Sequence, residues 1–259
     1  MFSAGCVDRR QGPRGIGTEL GPVRKPLRET GNTHCVPGLR DILDDPNTAQ
    51  QEWSSLGCDE AASHNDDNVW IDADSTVFNS VAEYNFLQQM TDKVRFTGFP
   101  DQSKRLSEKR QEIPNESCDN DIPIALCAVG GGQDGDELAA AFLRDGVPSG
   151  YRGGVITGPC LPQSEQRELS RLAGSQPQIQ VIDHLVETDL LLSKATRIVT
   201  MGGHNSVTSV LSFGKPDLIV PHVKPRQEQL IRAQRLQQLG RTSVLLNAAI
   251  LHSRCSIRC

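Results

Sequence analysis

From residue 122 onward the chain alternates short apolar runs with stretches of helical periodicity, and this alternation limits the folds available to it. The first run, at 124–129, has the length and composition of a buried strand. Strands separated by helices pair in parallel through right-handed crossovers. The sequence therefore predicts an α/β fold with a doubly wound, Rossmann-like parallel sheet. Its other strands are predicted at 155–157, 179–182, 198–201, 216–220 and 243–246.

Weaker signals of the same kind precede this region. Short strands are predicted at 33–36, 69–71 and 93–96, with a helical region at 39–56 interrupted at Pro46 and a helix at 77–86. Residues 100–121 are almost wholly polar, which is typical of a linker between lobes. The predicted organisation is a poorly structured segment at 1–30, a partial N-terminal α/β lobe at 31–99, a linker at 100–121, a C-terminal Rossmann-like domain at 122–246 and a tail at 247–259.

Charge and composition exclude several classes of function. The net charge of -5 gives no reason to expect a nucleic-acid partner, because binding to a phosphate backbone needs clustered Lys and Arg. No apolar run approaches the roughly 20 residues of a membrane span, and the first residues lack the apolar core of a signal peptide. A cytoplasmic chain is therefore predicted. Its 8 cysteines form no Cys-x-x-Cys pair and are interpreted as ordinary reduced residues.

The stretch 199–229 combines two strand ends with two helix starts. A Gly202-Gly203 pair follows an apolar run, and Asn205 or Ser206 is expected to cap the helix that comes next. A second apolar run leads to a polar loop that contains Arg226. A helix start carries partial positive charge, and a glycine turn lets an anion approach the main chain. This pattern predicts a site for a phosphate or diphosphate.

Other motifs leave alternatives open. The run 130–132 is three glycines and suits either a tight corner or a phosphate loop, but it is neither a Walker motif nor a clear dinucleotide fingerprint. Asp72 and Asp74 suit a metal that bridges a diphosphate, although a polar turn is the favoured interpretation. The tail residues His252, Cys255 and Cys259 lack a fourth metal ligand. No metal and no cofactor are predicted.

The segment MGGHNSVTSVLSFGKPDLIVPHVKPRQEQLIRAQRLQQLG, at 201–240, closely resembles the donor-binding region of family 28-type glycosyltransferases. The likeness is to a bacterial group of predicted glycosyltransferases and, more distantly, to the N-acetylglucosaminyltransferase that makes lipid II. It continues upstream in VGGGQDGDELAAAFL, VITGPCLP, GLRDILDDPNTAQQEW and KVRFTGF, and covers roughly residues 12–246. It implies a GT-B architecture of two Rossmann-like lobes, in which the C-terminal lobe binds a nucleotide-diphosphate sugar such as a UDP-sugar.

The resemblance also implies which residues meet the donor. Gly131 and Gly132 would approach the diphosphate or the acceptor side of the crevice, and the helix start after Gly202 would place its N–H groups against the diphosphate. Arg226, Gln227 and Glu228 would reach the sugar or its phosphates. Ser209 stands where the family commonly has a Glu for the ribose. The implied donor-binding set is Gly131, Gly132, Gly202, Gly203, His204, Asn205, Ser206, Ser209, Arg226, Gln227 and Glu228.

Function is expected to be hexosyl transfer from the nucleotide sugar to an acceptor that the sequence does not identify. The family's first Rossmann half and its usual catalytic base would precede residue 12, so an N-terminal truncation is expected and the base is unknown, with His204 as a weak candidate. A non-catalytic donor-binding subunit, working with an acceptor-lobe protein or a membrane-associated partner, is the alternative. A nucleotide-sugar epimerase ranks last, since only Glu228 offers a carboxylate near the sugar.

Overall fold

The computed structural model describes Pro26, Glu29, Gly31 and residues 33–109, 122–131, 134–183 and 187–246. Most of the segment predicted at 1–30, part of the linker, Gly132 and the whole tail at 247–259 lie outside the described residues. The chain forms two compact units. The first comprises the described residues up to Pro100 together with Arg226–Arg235, and the second comprises those from Asp101 to Pro225 and from Leu236 onward.

The first unit contains a three-stranded parallel sheet of order β1-β2-β3. Leu39 of β1 pairs with Ile71 of β2, and Ile71 pairs with Phe96 of β3, so these side chains share one face of the sheet. The strands are β1 (Gly38–Arg40), β2 (Val69–Asp72) and β3 (Val94–Phe96), and the helices are α1 (Pro46–Ser55), α2 (Cys58–Asn65), α3 (Ser80–Glu83) and α4 (Gln88–Thr91).

Helix α1 carries the largest aromatic side chain of this unit's core. The helix begins at Pro46, and the carboxylate of Asp45 caps it by accepting hydrogen bonds from the next two free amides. Trp53 lies on its buried face with 3% of its surface exposed, and its ring stacks on Phe86 at 4.9 Å between centroids. Trp70 of β2 lies on the opposite face of the sheet and is 51% exposed. The chain's 2 tryptophans are therefore in contrasting environments.

Three predictions for this unit are wrong. The helical region predicted at 39–56 begins only at Pro46, because Leu39 and Arg40 belong to β1. The strand predicted at 33–36 begins instead at Gly38, because Cys35 donates its N–H to the Asp67 carboxylate at 2.8 Å and pairing with β2 begins beyond Pro37. The helix predicted at 77–86 is only α3, because the chain turns at Asn85, whose φ is 51°. The strands predicted at 69–71 and 93–96 are confirmed.

A buried ion pair joins the last helix, α10 (Glu228–Gln238), to the strand end of the first unit. Arg232 is fully buried, and its Nε and Nη2 donate to the two oxygens of Asp41 at 2.6 and 2.8 Å. Glu228, one turn earlier, pairs with the same guanidinium at 2.5 Å. Carboxylates on two sides hold the pKa of Arg232 above its usual range, although burial acts in the opposite direction.

The second unit contains a six-stranded parallel sheet of order β6-β5-β4-β7-β8-β9, and the predicted Rossmann-like α/β fold is confirmed. Helices cover both faces of the sheet. Cys127 of the central strand faces the core formed with Phe142, whereas Leu126 faces the core formed with Val210. The strands are β4 (Ile124–Ala128), β5 (Arg152–Thr157), β6 (Ile179–Asp183), β7 (Arg197–Thr200), β8 (Asp217–Ile219) and β9 (Ser243–Val244).

The helices of this unit alternate with its strands as predicted. One further helix, α5 (Gln102–Lys109), lies in the polar stretch that was predicted as a linker. Its Arg105 pairs with Glu187 at 2.6 Å and also with Asp189. No helix in the described ranges is long and apolar enough to cross a membrane. The helices are α5 (Gln102–Lys109), α6 (Asp136–Asp145), α7 (Gln163–Ala173), α8 (Thr188–Lys194) and α9 (His204–Phe213).

Replacing each tryptophan by alanine tests the assignment of the first unit's core. We expect Trp53→Ala to lower the free energy of unfolding by about 3–5 kcal/mol, because it leaves a cavity beside Phe86. Trp70→Ala serves as the matched control and should change this free energy by less than about 0.5 kcal/mol. Urea titrations of the two variants measure both values. Equal losses would contradict the placement of the two rings.

Asp217, at the start of β8, gives the second unit a pH-dependent stability. Burial raises the pKa of this carboxyl from 3.8 to about 6, although the Thr242 hydroxyl donates to it. Because the folded-state pKa lies above the unfolded one, the contribution to stability is full below about pH 4 and is lost as the pH rises through about 6. The free energy of unfolding of the wild type, relative to that of Asp217→Asn, should therefore fall across this range. A pH-independent difference between the two urea titrations would show that the carboxyl is not perturbed.

Candidate functional site

The centre of the six-stranded sheet is a topological switch point. From β4 the chain proceeds to β5 and β6 on one side, and β7, β8 and β9 follow on the other. Ala128 pairs with Thr200, so the last residues of β4 and β7 lie at the same level. In open sheets of this kind, ligands bind beyond the carboxyl ends of the strands at the switch point. The segments 129–135 and 201–203 begin there.

Each of these segments opens with a glycine turn. Gly130 has φ of 77° and Gly202 has φ of 78°, a left-handed conformation that favours glycine. The Gly202 N–H donates to the Thr200 hydroxyl at 3.2 Å, which holds the second turn close to the end of β7. The chain therefore turns sharply after each of two adjacent parallel strands, at the same edge of the sheet.

Helix α9 begins directly after the second turn. Gly203 is its N-cap residue, with an extended backbone and no side-chain hydrogen bond to the first amides. Asn205 and Ser206 lie already within the first turn, so the prediction that one of them caps the helix is wrong. The reason is that Gly203 itself adopts the extended N-cap conformation. The first turn of α9 brings the positive end of the helix dipole to the switch point.

Ser209, which was predicted to contact the donor, is bonded within α9. Its side chain is buried, and its hydroxyl donates to the carbonyl oxygen of Asn205 at 3.1 Å. His204 is also buried, with 6% of its surface exposed, and its carbonyl oxygen accepts from the Thr208 hydroxyl at 2.8 Å. The first two turns of the helix are thus fixed by hydroxyl groups that bond to carbonyl oxygens one turn earlier.

The glycines near this edge differ in the free space around the point that a Cβ would occupy. A Cβ at Gly158, after β5, would lie 2.0 Å from the carbonyl oxygen of Gly130, and one at Gly135 would lie 2.4 Å from the Cβ of Val129. These two glycines permit close packing of the loops. At Gly131 and Gly203 no atom of the described residues lies within 4 Å of the same point, and neither has a left-handed φ. A Cβ at either position would therefore lie in open space, and at Gly203 glycine also serves as the N-cap of α9.

An aspartate–histidine pair connects two loops at this edge. His222 lies in the loop after β8, and its Nδ1 is 3.8 Å from the Oδ2 of Asp134 in the loop after β4. Both strands pair with β7, one on each side. The sequence places each residue after a strand but indicates no pairing between them. Only the strand order brings the two loops together.

The three residues predicted to reach the sugar belong to the first unit and have contacts there. Arg226 donates to Asp44 at 3.3 Å and to Glu52 at 3.1 Å. The N–H of Gln227 donates to Asp44 at 2.8 Å, and Glu228 pairs with Arg232 at 2.5 Å. These contacts fix the segment that precedes and opens α10 within its own unit.

The carboxylates considered for a metal have local partners. The Thr97 hydroxyl donates to Asp72 at 3.1 Å, and Asp74 accepts the N–H and the hydroxyl of Thr76 at 2.8 and 2.7 Å. The hydroxyl of Thr76 is the main cause that lowers the pKa of Asp74. The interpretation of Asp74 as a turn residue is confirmed, but the expectation that Asp74 or Ser75 caps the next helix is wrong, because Asn79 is the N-cap of α3.

Comparison with solved structures identifies this architecture with that of glycosyltransferases. CalG4, the calicheamicin glycosyltransferase, is similar with a TM-score of 0.57 and 15% identity over 95% of this chain and 66% of its own. Arabidopsis thaliana UGT89C1, complexed with UDP-L-rhamnose, has a TM-score of 0.54 and 14% identity over 92% of this chain and 62% of its own. The chain thus spans less than two thirds of the length of either enzyme.

A third similar structure is the S. aureus MnaA–UDP co-structure, with a TM-score of 0.52 and 12% identity over 88% of this chain and 72% of its own. No protein-family model matches the sequence, and no curated protein matches it. The class of protein is therefore defined at the level of the fold, which is the α/β, Rossmann-like fold that GT-B glycosyltransferases share.

The close packing at Gly158 gives a prediction for the loops. Gly158→Ala should lower the free energy of unfolding by about 1–3 kcal/mol, because the added methyl group would displace the carbonyl of Gly130. Gly131→Ala is the matched control and should leave stability within about 0.5 kcal/mol of the wild type, since its Cβ meets no atom. Thermal and urea unfolding measure both variants. Tolerance of Gly158→Ala would contradict the close approach of these loops.

Proposed function

We propose that the chain binds a nucleotide-diphosphate sugar beyond the carboxyl ends of β4 and β7 and transfers the sugar to an acceptor. The observation that carries this proposal is the open space beside Gly131 and Gly203. Glycine costs stability relative to alanine unless a backbone conformation or a close approach requires it. At these two positions, beside the carboxyl ends of β4 and β7, the open space leaves room for a ligand to approach the main chain.

An anion fits this position better than a neutral or cationic ligand. The first turn of α9 presents backbone N–H donors, and the helix dipole adds roughly half a positive charge. The glycine turn after β4 ends at the same level as this helix start because Ala128 pairs with Thr200. A diphosphate placed against the two segments would accept hydrogen bonds from main-chain amides. Such donors are fixed before the ligand arrives, so they need no reorganisation.

The same donors suit glycosyl transfer. In that reaction the acceptor oxygen forms a bond to the anomeric carbon, the bond from that carbon to the diphosphate oxygen breaks, and the nucleoside diphosphate leaves with the bonding electron pair. A base takes the acceptor proton. Charge therefore develops on the diphosphate, where α9 and the Gly131 loop would stabilise it. His204 stays a candidate for the base.

The similar folds favour a uridine nucleotide as the first probe, since two of these structures were obtained with UDP or a UDP-sugar. Calorimetric titration with UDP, GDP and dTDP tests the binding step, and release of UDP from UDP-sugars, with water as the acceptor, tests the transfer step. We expect UDP to bind. Failure of all three nucleotides to bind would reject the proposal, and binding without any release would favour a donor-binding subunit.

A pair of substitutions at His204 separates the main-chain contribution from that of the side chain. His204→Pro removes the first helical N–H, and the helix tolerates it because Gly203 already has the φ of −60° and ψ of 149° that precede proline. We expect it to weaken UDP binding about tenfold or more relative to His204→Ala, since a hydrogen bond to a charged group contributes about 1.5–3 kcal/mol. Circular dichroism checks that both variants fold. Equal affinities would show that this amide does not bind the diphosphate.

A further inference from the structure

The proposed function leaves open which side chain faces the charge of the diphosphate. Sequence reasoning assigned this role to Arg226, but its guanidinium is occupied by Asp44 and Glu52 in the first unit. Against a dianion at the end of α9, the helix dipole supplies only roughly half a positive charge. The loops around the switch point are therefore the place to look for another cation.

We propose that His222 supplies this charge and that Asp134 positions it. The inference rests on the proposed function, because it concerns the same ligand. The two side chains meet with Nδ1 and Oδ2 3.8 Å apart, and each lies in the loop at the carboxyl end of a strand that pairs with β7. His222 is therefore a ligand-contacting residue in this proposal, and Asp134 is a positioning residue.

The strand order gives the pair its position. Neighbouring strands lie about 4.8 Å apart, so β4 and β8 are separated by about 10 Å, with β7 between them. Side chains that approach to 3.8 Å from loops on either side of β7 must extend toward each other across its end. That end is the turn at Gly202 and Gly203, which leads into α9. The pair thus lies at the same edge of the sheet as the amides that would bind the diphosphate.

Partial exposure allows the pair to act on a ligand. The side chain of His222 is 32% exposed and that of Asp134 is 57% exposed, so the imidazole is accessible and yet partly shielded from water. The preceding residues Val220 and Pro221 are buried and anchor this loop. A partly shielded charge interacts more strongly with a phosphate than a fully hydrated one does. Lys224, two residues further on, is exposed and is a suitable comparison.

The test compares UDP with uridine, which lacks the phosphates. We expect His222→Ala to weaken UDP binding about tenfold or more, the loss of a hydrogen bond to a charged group. Uridine affinity, measured by NMR titration, should stay within about twofold, because no phosphate is present to lose the interaction. His222→Arg should restore most of the affinity for UDP, since it returns a fixed cation.

The control variant is Lys224→Ala, which removes a cation from the same loop. It should change UDP affinity less than about twofold, because an exposed charge is screened by salt. Equal losses in Lys224→Ala and His222→Ala, or equal losses of UDP and uridine in His222→Ala, would overturn the inference while leaving the proposed function intact. A wild-type chain that binds none of UDP, GDP and dTDP would instead reject the proposed function itself.

Discussion

The parallel pairing of β4 with β7 is the constraint on which the candidate site depends. Ala128 faces Thr200 in this pairing, so both strands end together and their glycine turns begin at one level. A shift of one residue would send one turn below the other and would exchange the faces of every side chain in the strand. Because Leu126 and Cys127 face two different hydrophobic cores, that shift would expose or misplace the central strand. Packing on both faces of the sheet therefore fixes the geometry of its functional edge.

A different interaction fixes helix α10. Arg232 and Asp41 form a fully buried, two-bonded ion pair, and removing Arg232 would leave the Asp41 carboxylate buried without its guanidinium, a loss that costs about 3–5 kcal/mol. The pair holds the first two turns of α10 in the first unit. The same location explains why Arg226 meets Asp44 and Glu52. Three arginines of one segment pair with carboxylates of this unit: Arg226 with Glu52, Arg232 with Asp41 and Arg235 with Glu83.

The fold of the second unit was predictable because its strands contain short apolar runs and its helices are periodic. The strand predicted at 124–129 and the one observed at Ile124–Ala128 differ by one residue. The first unit was harder, since side chains such as the Asp67 carboxylate accept hydrogen bonds from main-chain groups that a strand would use. Short elements depend on such tertiary contacts, which local sequence does not reveal.

The candidate site shows the same division between local and non-local information. The glycine turns at Gly130 and Gly202 were recognisable because each follows an apolar run directly. The partner of Arg226 was not recognisable from the sequence, because Asp44 lies 182 residues away and any exposed carboxylate could have paired with this arginine. The pairing of Asp134 with His222 needs the strand order, which periodicity alone leaves undetermined.

Arginine and histidine side chains suit different roles, and the two units use them differently. A guanidinium keeps its charge in any protein environment and forms paired hydrogen bonds with carboxylates, which suits a structural role such as that of Arg232. In the proposal above, a ligand dianion meets His222 of the second unit, whereas the arginines beside the first unit's carboxylates keep the protein's own contacts in place.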